Sequence, residues 1–137
     1  MKFRMLSPTT VSVPEMMNGR LTPQYLYHDD PRLADQLRKN ILNKYKSLYG
    51  ASPPDDTFSC TLDKEFIRDM QNRGKKISRL VTIKQGSEDE TKVRGFMCPL
   101  KIEGNPELIR LAYESGLGEK NSLGFGFIEI ENSRMTK

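Results

Sequence analysis

The sequence of 137 residues contains no tryptophan, one histidine and two cysteines. Cys60 and Cys98 stand far apart and match no Cys/His ligand spacing, so the sequence predicts neither a zinc site nor a disulfide framework. Both lie in alternating, strand-like runs, which favours buried free thiols in a reducing cytoplasm. His28 is the one imidazole available for acid–base chemistry, and its polar loop beside Asp29 favours a solvated side chain over a catalytic one.

Long apolar runs are also missing. The start, Met1-Lys2-Phe3-Arg4, lacks the apolar core of a signal peptide, and no segment approaches the length of a membrane span. Hydrophobic residues make up 36% and charged residues 29% of the chain, the balance of one soluble domain with a buried core. We therefore expect a cytoplasmic protein with no membrane partner.

Negative charge is in deficit, because 22 lysines and arginines face 18 aspartates and glutamates, a net charge of +4. This excess favours a polyanionic partner such as nucleic acid, although surplus lysine often only solvates a surface. Two acidic runs, Asp29-Asp30 and Glu88–Glu90, are explained by a helix cap and a solvated turn. The sequence thus predicts no metal and no cofactor.

The first half of the chain is predicted to hold a bent strand and a long helix. The strand starts at Lys2 and continues through Thr9–Val13, and residues 14–30 form a long polar connection. Asp30 is placed to cap the helix, with Pro31 at its first position and Gly50 at its end.

The second half alternates strands with two shorter helices. Strands are predicted over 58–62, 77–84, 93–102 and 125–130, with a polar hairpin turn at 85–90, a helix over 64–72 and a second over 107–115 capped by Asn105. The order is the βαββαβ pattern of α+β, ferredoxin-like (RNA-recognition-like) folds. We expect one domain over residues 1–137, with an antiparallel sheet, two helices on one face and a glycine-rich loop before the last strand.

That glycine-rich loop is the strongest functional signal, because four of the ten glycines lie in residues 116–126. Glycines this dense let backbone N–H groups approach a partner, and the interleaved Lys120 and small polar residues suggest phosphate. The loop follows a helix and precedes a strand, the reverse of a dinucleotide-binding loop, and G-x-x-x-x-G-K-[ST] is absent. The alternative is a helix cap followed by a bulged strand. Phosphates would lie against the backbone amides of the loop, with Lys120 as the point charge and Asn121 and Ser122 as extra donors.

Further candidates lie on neighbouring strands. Lys92, Arg94 and Lys101 could extend a cationic surface. Phe125 and Phe127 are two residues apart and are expected to point the same way, either to stack bases or, as we favour, to join the core.

Five stretches resemble one protein family. They are Phe3–Thr9, Asp30-Pro31 with the helix to Gly50, Gly95–Gly104, Asn105–Leu108 and, most specifically, Gly116–Gly126. Together they resemble the C-terminal half of the CRISPR-associated repeat-processing endoribonucleases, the sixth Cas protein, in the RAMP superfamily. The resemblance covers nearly the whole chain.

The resemblance implies repeat RNA held along a basic surface of two tandem ferredoxin-like domains, of which this chain is the second. It also implies metal-independent cleavage by the ribose 2′-OH, with a general-base histidine from the first domain. In the family the glycine-rich loop helps to hold the RNA, and by position the resemblance gives that role here to Gly116, Gly118, Lys120, Asn121, Ser122, Gly124 and Gly126. His28 does not match that histidine, so no catalytic residue transfers here. An active nuclease, an RNA-binding module, and an oligomerisation or protein-interaction domain without RNA binding remain open. The expected partners are repeat RNA, a separate N-terminal domain or other Cas proteins, and a second copy of the chain.

Overall fold

The computed structural model describes residues 1–88 and 90–131. Within them the elements are β1 (Lys2–Met5), β2 (Ser12–Met17), β3 (Arg20–Tyr25), α1 (Leu33–Tyr49), β4 (Phe58–Leu62), α2 (Lys64–Asn72), β5 (Ser78–Ile83), β6 (Thr91–Phe96), β7 (Leu100–Gly104), α3 (Pro106–Ser115), a 3₁₀ turn (Asn121–Leu123) and β8 (Ile128–Ile130).

The predicted ferredoxin-like fold is confirmed. Strands β4, β7, β1 and β8 form one antiparallel sheet in that order. Read along the chain with α1 and α3, they give the βαββαβ pattern. Both helices contact this sheet and each other.

One face of the sheet makes the core. In β1, Phe3 and Met5 are buried while Lys2 and Arg4 are exposed, as the two-residue period of a strand requires. The buried residues of α1 and α3 join the same cluster. The outward positions of the sheet carry polar or charged side chains: Lys2, Arg4, Ser59, Thr61, Lys101 and Glu103.

The long connection predicted for residues 14–30 is wrong in part, because β2 and β3 pair there as an antiparallel hairpin. The turn residues Asn18 and Gly19 both have positive φ, the geometry that Asn-Gly favours in two-residue hairpin turns. The polar composition of residues 14–30 suggested a loop, although the Asn-Gly turn signal of a hairpin was present in the sequence.

The single strand predicted over 93–102 is also wrong. It is divided into β6, which pairs with β5, and β7, which belongs to the main sheet. At the end of β6, Phe96 exchanges two backbone hydrogen bonds with Thr9, both of 3.0 Å. The break falls at Met97–Pro99, where proline lacks a backbone donor. Asp89, part of the turn predicted over 85–90, lies outside the described residues.

Helix starts follow the prediction in one case of two. Asn105 caps α3, accepting a hydrogen bond from the Glu107 N–H at 3.0 Å. Asp30 does not cap α1, which begins at Leu33. Asp30 accepts instead from the backbone N–H and guanidinium of Arg32, which lowers the pKa of its carboxyl.

The last strand is shorter than predicted, with only Ile128–Ile130 in β8. Phe125 is buried, whereas Phe127 is 36% exposed. The two rings therefore do not share an environment, and only Phe125 fulfils the expected core role.

Cys60 and Cys98 are free and buried, as predicted. Burial raises the pKa of each thiol to about 12. Among the described residues, no helix is long and apolar enough to span a membrane.

Candidate RNA-binding site

The glycine-rich loop leaves α3 at Gly116 and reaches β8 through two places where backbones touch. A Cβ on Gly118 would overlap the carbonyl oxygen of Thr10, and one on Gly126 would overlap that of Leu117. Both glycines also have positive φ. Side chains are therefore excluded at these positions by packing within the protein itself.

Asn121 is the internal support of the loop. Its amide nitrogen donates hydrogen bonds to the carbonyls of Leu117 at 2.9 Å and Phe125 at 2.8 Å. Both amide protons are thus used within the loop. A direct contact between this side chain and RNA stays a prediction, while its role in loop shape is visible.

Lys44, from α1, supports the loop from beneath. Its ammonium donates to the carbonyl of Gly116 at 2.8 Å, to that of Gly118 at 2.9 Å and to the side-chain oxygen of Asn121 at 2.7 Å. Burial lowers the pKa of Lys44 to about 8, an effect that Glu119 opposes. Three carbonyl acceptors match the three ammonium protons.

Four further hydrogen bonds join the loop to the segment between β1 and β2 and to the first residue of β2. The Glu119 N–H donates to the Thr10 carbonyl at 2.8 Å, and the Gly126 N–H to that of Pro8, also at 2.8 Å. The Glu119 carboxylate accepts from the N–H and hydroxyl of Ser12 at 2.6 and 2.7 Å. Loop, connecting segment and hairpin therefore form one continuous structure.

The outer side of the loop faces solvent. Lys120 is half-buried with a left-handed backbone, and Ser122 and Gly124 are exposed. Among the described residues, no hydrogen-bond partner is found for the backbone N–H groups of Lys120, Asn121 and Ser122. Backbone donors beside a lysine make an arrangement that can bind an anion.

The other predicted cations are placed in two different sheets. Arg94 and Lys92 lie in β6, and the Thr10 hydroxyl donates to the Arg94 carbonyl at 2.8 Å. This joins their strand to the segment that also holds the loop. Lys101 lies in β7 of the main sheet, where its ammonium nitrogen is 3.6 Å from a carboxylate oxygen of Glu103.

His28 lines a different cavity of about 650 Å³, bordered by α1, β4 and α2. None of the predicted loop residues lines this cavity. His28 and the predicted loop residues therefore do not share this cavity. Across the described part of the chain, no group of three or more His, Cys, Asp or Glu could hold a metal ion.

Sequence reasoning missed two residues of this region. Lys44 was not among the predicted site residues, because no local signal distinguishes it from the other lysines of α1. Tyr27 lies under the Arg94 guanidinium, 4.9 Å from ring centroid to Cζ. Its contact joins residues 67 positions apart, which no local pattern records.

Comparisons with known proteins agree with this architecture. Residues 1–130 match the family model described as CRISPR associated protein Cas6, C-terminal. A CRISPR-associated endoribonuclease-like protein Cas6 of Pyrococcus furiosus is 30% identical over 128 residues, covering 93% of this chain and 46% of that protein. A Cas6nc endoribonuclease-like protein of Pyrococcus horikoshii is also 30% identical, with 93% and 47% covered.

Two solved structures are similar over 96% of this chain and 48% of theirs, at 27% identity. One is described as an RAMP protein binding different RNA substrates, with a TM-score of 0.75. The other is a Cas6-related protein from Pyrococcus furiosus, with a TM-score of 0.76. The chain spans about half the length of the relatives it matches. On this evidence, the chain belongs to the Cas6 family and corresponds to its C-terminal part.

Proposed function

We propose that this chain binds CRISPR repeat RNA in crRNA maturation, as the RNA-gripping C-terminal half of a metal-independent endoribonuclease. The observation that carries the proposal is the outer side of the glycine-rich loop. There, Lys120 and Ser122 stand beside backbone N–H groups that have no partner within residues 1–88 and 90–131, on a loop held from within by Lys44 and Asn121. A similar structure described as binding different RNA substrates supports this choice of ligand.

The proposed RNA surface contains the loop residues and the nearby cations. Phosphates contact Lys120, the Ser122 hydroxyl and the amides of the loop, and Arg94 and Lys92 extend the positive surface along β6. Lys101 faces outward on the main sheet and is a separate, weaker contact. Gly116, Gly118, Gly124 and Gly126 set the loop's backbone path.

We propose further that residues 1–137 form one ferredoxin-like domain, equivalent to the second of two. The chain covers 46% of a curated Cas6 relative, which leaves room for a first domain of similar size there. Cleavage by the 2′-OH requires a base to take its proton. In this proposal the base comes from an N-terminal domain or another Cas protein in the cytoplasm, and the chain's own residues hold and orient the RNA.

The test is a titration of the purified chain with a CRISPR repeat RNA and with a scrambled RNA, at two salt concentrations and with EDTA present. Binding of the repeat without a cut product supports an RNA-binding module. A cut product that disappears with His28→Ala would instead make this chain the nuclease. No RNA binding at low salt, together with a dimer by light scattering, would favour the oligomerisation alternative.

The decisive variant is Lys120→Ala. Because Lys120 is proposed to contact phosphate, we expect weaker binding of both RNAs alike and a decrease of about 0.7 in the slope of log K against log salt. Lys39→Ala is the matched control, since it removes the same charge from an exposed lysine of α1. Lys39 pairs with Asp35 and is not part of the proposed RNA surface. Equal slopes for the two variants would contradict phosphate contact by Lys120.

A further inference from the structure

We infer that Tyr27 and Arg94 form a stacking platform for an unpaired nucleobase of the bound RNA. The inference rests on the proposed function and adds a base-contacting site beside the loop that is proposed to contact phosphates. Its tests separate loss of the platform from loss of RNA binding altogether.

The platform is an exposed aromatic ring with a cation over it. The Arg94 guanidinium lies 4.9 Å from the Tyr27 ring centroid, and 49% of the tyrosine is exposed. Among the described residues, no carboxylate lies within ion-pair distance of Arg94. Its charge and donors therefore remain available to a polyanion, and guanidinium and phenol planes both stack on bases.

The platform is connected to the glycine-rich loop by backbone contacts of the segment at 9–11. The Leu26 N–H, next to Tyr27, donates to the Val11 carbonyl at 2.8 Å. Thr10 bonds to Arg94 through its hydroxyl and to Glu119 of the loop through its carbonyl. One short segment thus holds the tyrosine, the arginine and the loop in fixed relation.

Other surfaces do not offer the same chemistry. The outward positions of the main sheet carry no aromatic side chain in the described strands, so stacking on that face, as in RNA-recognition domains, is excluded there. Tyr113 is similarly exposed, at 46%, but lies beside the apolar groove of Met1 and Ile130. Of the exposed tyrosines in the described residues, only Tyr27 has a cation over its ring.

A base can reach such a platform only when it is unstacked, because a duplex hides its faces. The site therefore predicts a preference for single-stranded segments over a fully paired RNA. Since every base has a π face, this contact contributes affinity with little sequence preference.

The test uses repeat RNAs in which 2-aminopurine replaces one base at a time, because stacking on the protein changes the fluorescence of that base. We expect one position to respond in the wild-type chain and to lose its response in Tyr27→Leu. Affinity in that variant should fall about tenfold with an unchanged salt slope, because stacking neutralises no phosphate. Arg94→Gln should lower both the affinity and the salt slope.

Two controls keep the result interpretable. Tyr27→Phe preserves the ring and should retain the response, while Tyr113→Leu removes a tyrosine of similar exposure and should change nothing. Far-UV circular dichroism checks that Tyr27→Leu is folded. If Tyr27→Leu binds like wild type while Lys120→Ala is impaired, the platform is wrong and the proposed function stands. If the wild-type chain binds no RNA, the proposed function itself fails.

Discussion

At the residue scale, the glycine-rich loop separates into an inner and an outer set. Asn121, Gly118 and Gly126 are committed to contacts within the protein. Lys120 and Ser122 stand on the outer side. Most of the glycines thus serve backbone packing, and the proposed RNA contact of the loop depends on few side chains.

Two glycine variants test this division. Gly124 has positive φ with open space around it, whereas a Cβ on Gly126 would overlap the Leu117 carbonyl. We expect Gly124→Ala to lower the free energy of unfolding by about 1 kcal/mol, from backbone strain alone. Gly126→Ala should cost about 3 kcal/mol, since the Leu117 N–H to Gly126 carbonyl bond must also open. Urea denaturation measures both, and equal midpoints would contradict the packing role of Gly126.

The sequence predicted the loop but not its support. Glycine density and Lys120 are local features, visible in eleven consecutive residues. The contacts of Lys44 with Gly116 and Asn121 cross more than 70 positions of the chain. Only the packing of α1 beside α3 creates them, so no pattern within the helix could distinguish this lysine.

At the element scale, the β2–β3 hairpin is held to the rest of the protein at its base. Ser12, the first residue of β2, donates two hydrogen bonds to the Glu119 carboxylate. The next residue after β3, Leu26, pairs with Val11. The hairpin and the glycine-rich loop are therefore expected to be ordered together.

Glu119→Ala tests this coupling. Two hydrogen bonds to a charged acceptor are lost, so the Ser12 amide should exchange with deuterium about tenfold faster or more. Glu103→Ala removes the same charge from an exposed strand position and should leave Ser12 unchanged. Unaltered protection of Ser12 in Glu119→Ala would show that the hairpin is held by other contacts.

The two-residue alternation of apolar side chains correctly predicted which residues are buried. It failed to predict the strands where two different sheets contribute to the same core. Phe96, Cys98, Leu100 and Ile102 are all buried, as their alternation predicts. The same alternation suggested one strand, although β6 and β7 belong to different sheets. Burial depends on side-chain direction, but strand pairing depends on distant partners such as Thr9, which the local sequence does not contain.

At the scale of the whole molecule, three positively charged side chains lie on elements that hydrogen bonds connect to the glycine-rich loop. The net charge of +4 includes Lys44 below the loop, Lys120 on it and Arg94 beside it. These three residues come from a helix, a loop and a hairpin strand. A bound polyanion would therefore act on all three elements together, including the half-buried ammonium of Lys44.

This arrangement predicts that RNA affinity falls as pH rises through 8. In the free protein, burial lowers the pKa of Lys44 to about 8, and a nearby polyanion should raise it. Binding then takes up a proton, so affinity is fully present below pH 8 and declines above it. The measurement is the Kd for repeat RNA at pH 7, 8 and 9, at fixed ionic strength.

The matched variant is Lys44→Gln, whose amide keeps two N–H donors but does not titrate. It should bind more weakly at pH 7 and lose the part of the pH dependence that belongs to Lys44, because the RNA and all other groups titrate in both proteins. Unfolding cannot imitate the effect. The pKa of Lys44 is lower in the folded chain than its ordinary 10.5, so its charge costs stability below pH 8, and this cost is relieved as pH rises toward 10.5. The contribution of Lys44 to stability and its contribution to affinity therefore change in opposite directions with pH. Parallel pH profiles of RNA affinity for wild type and variant would show that the ammonium of Lys44 does not respond to bound RNA.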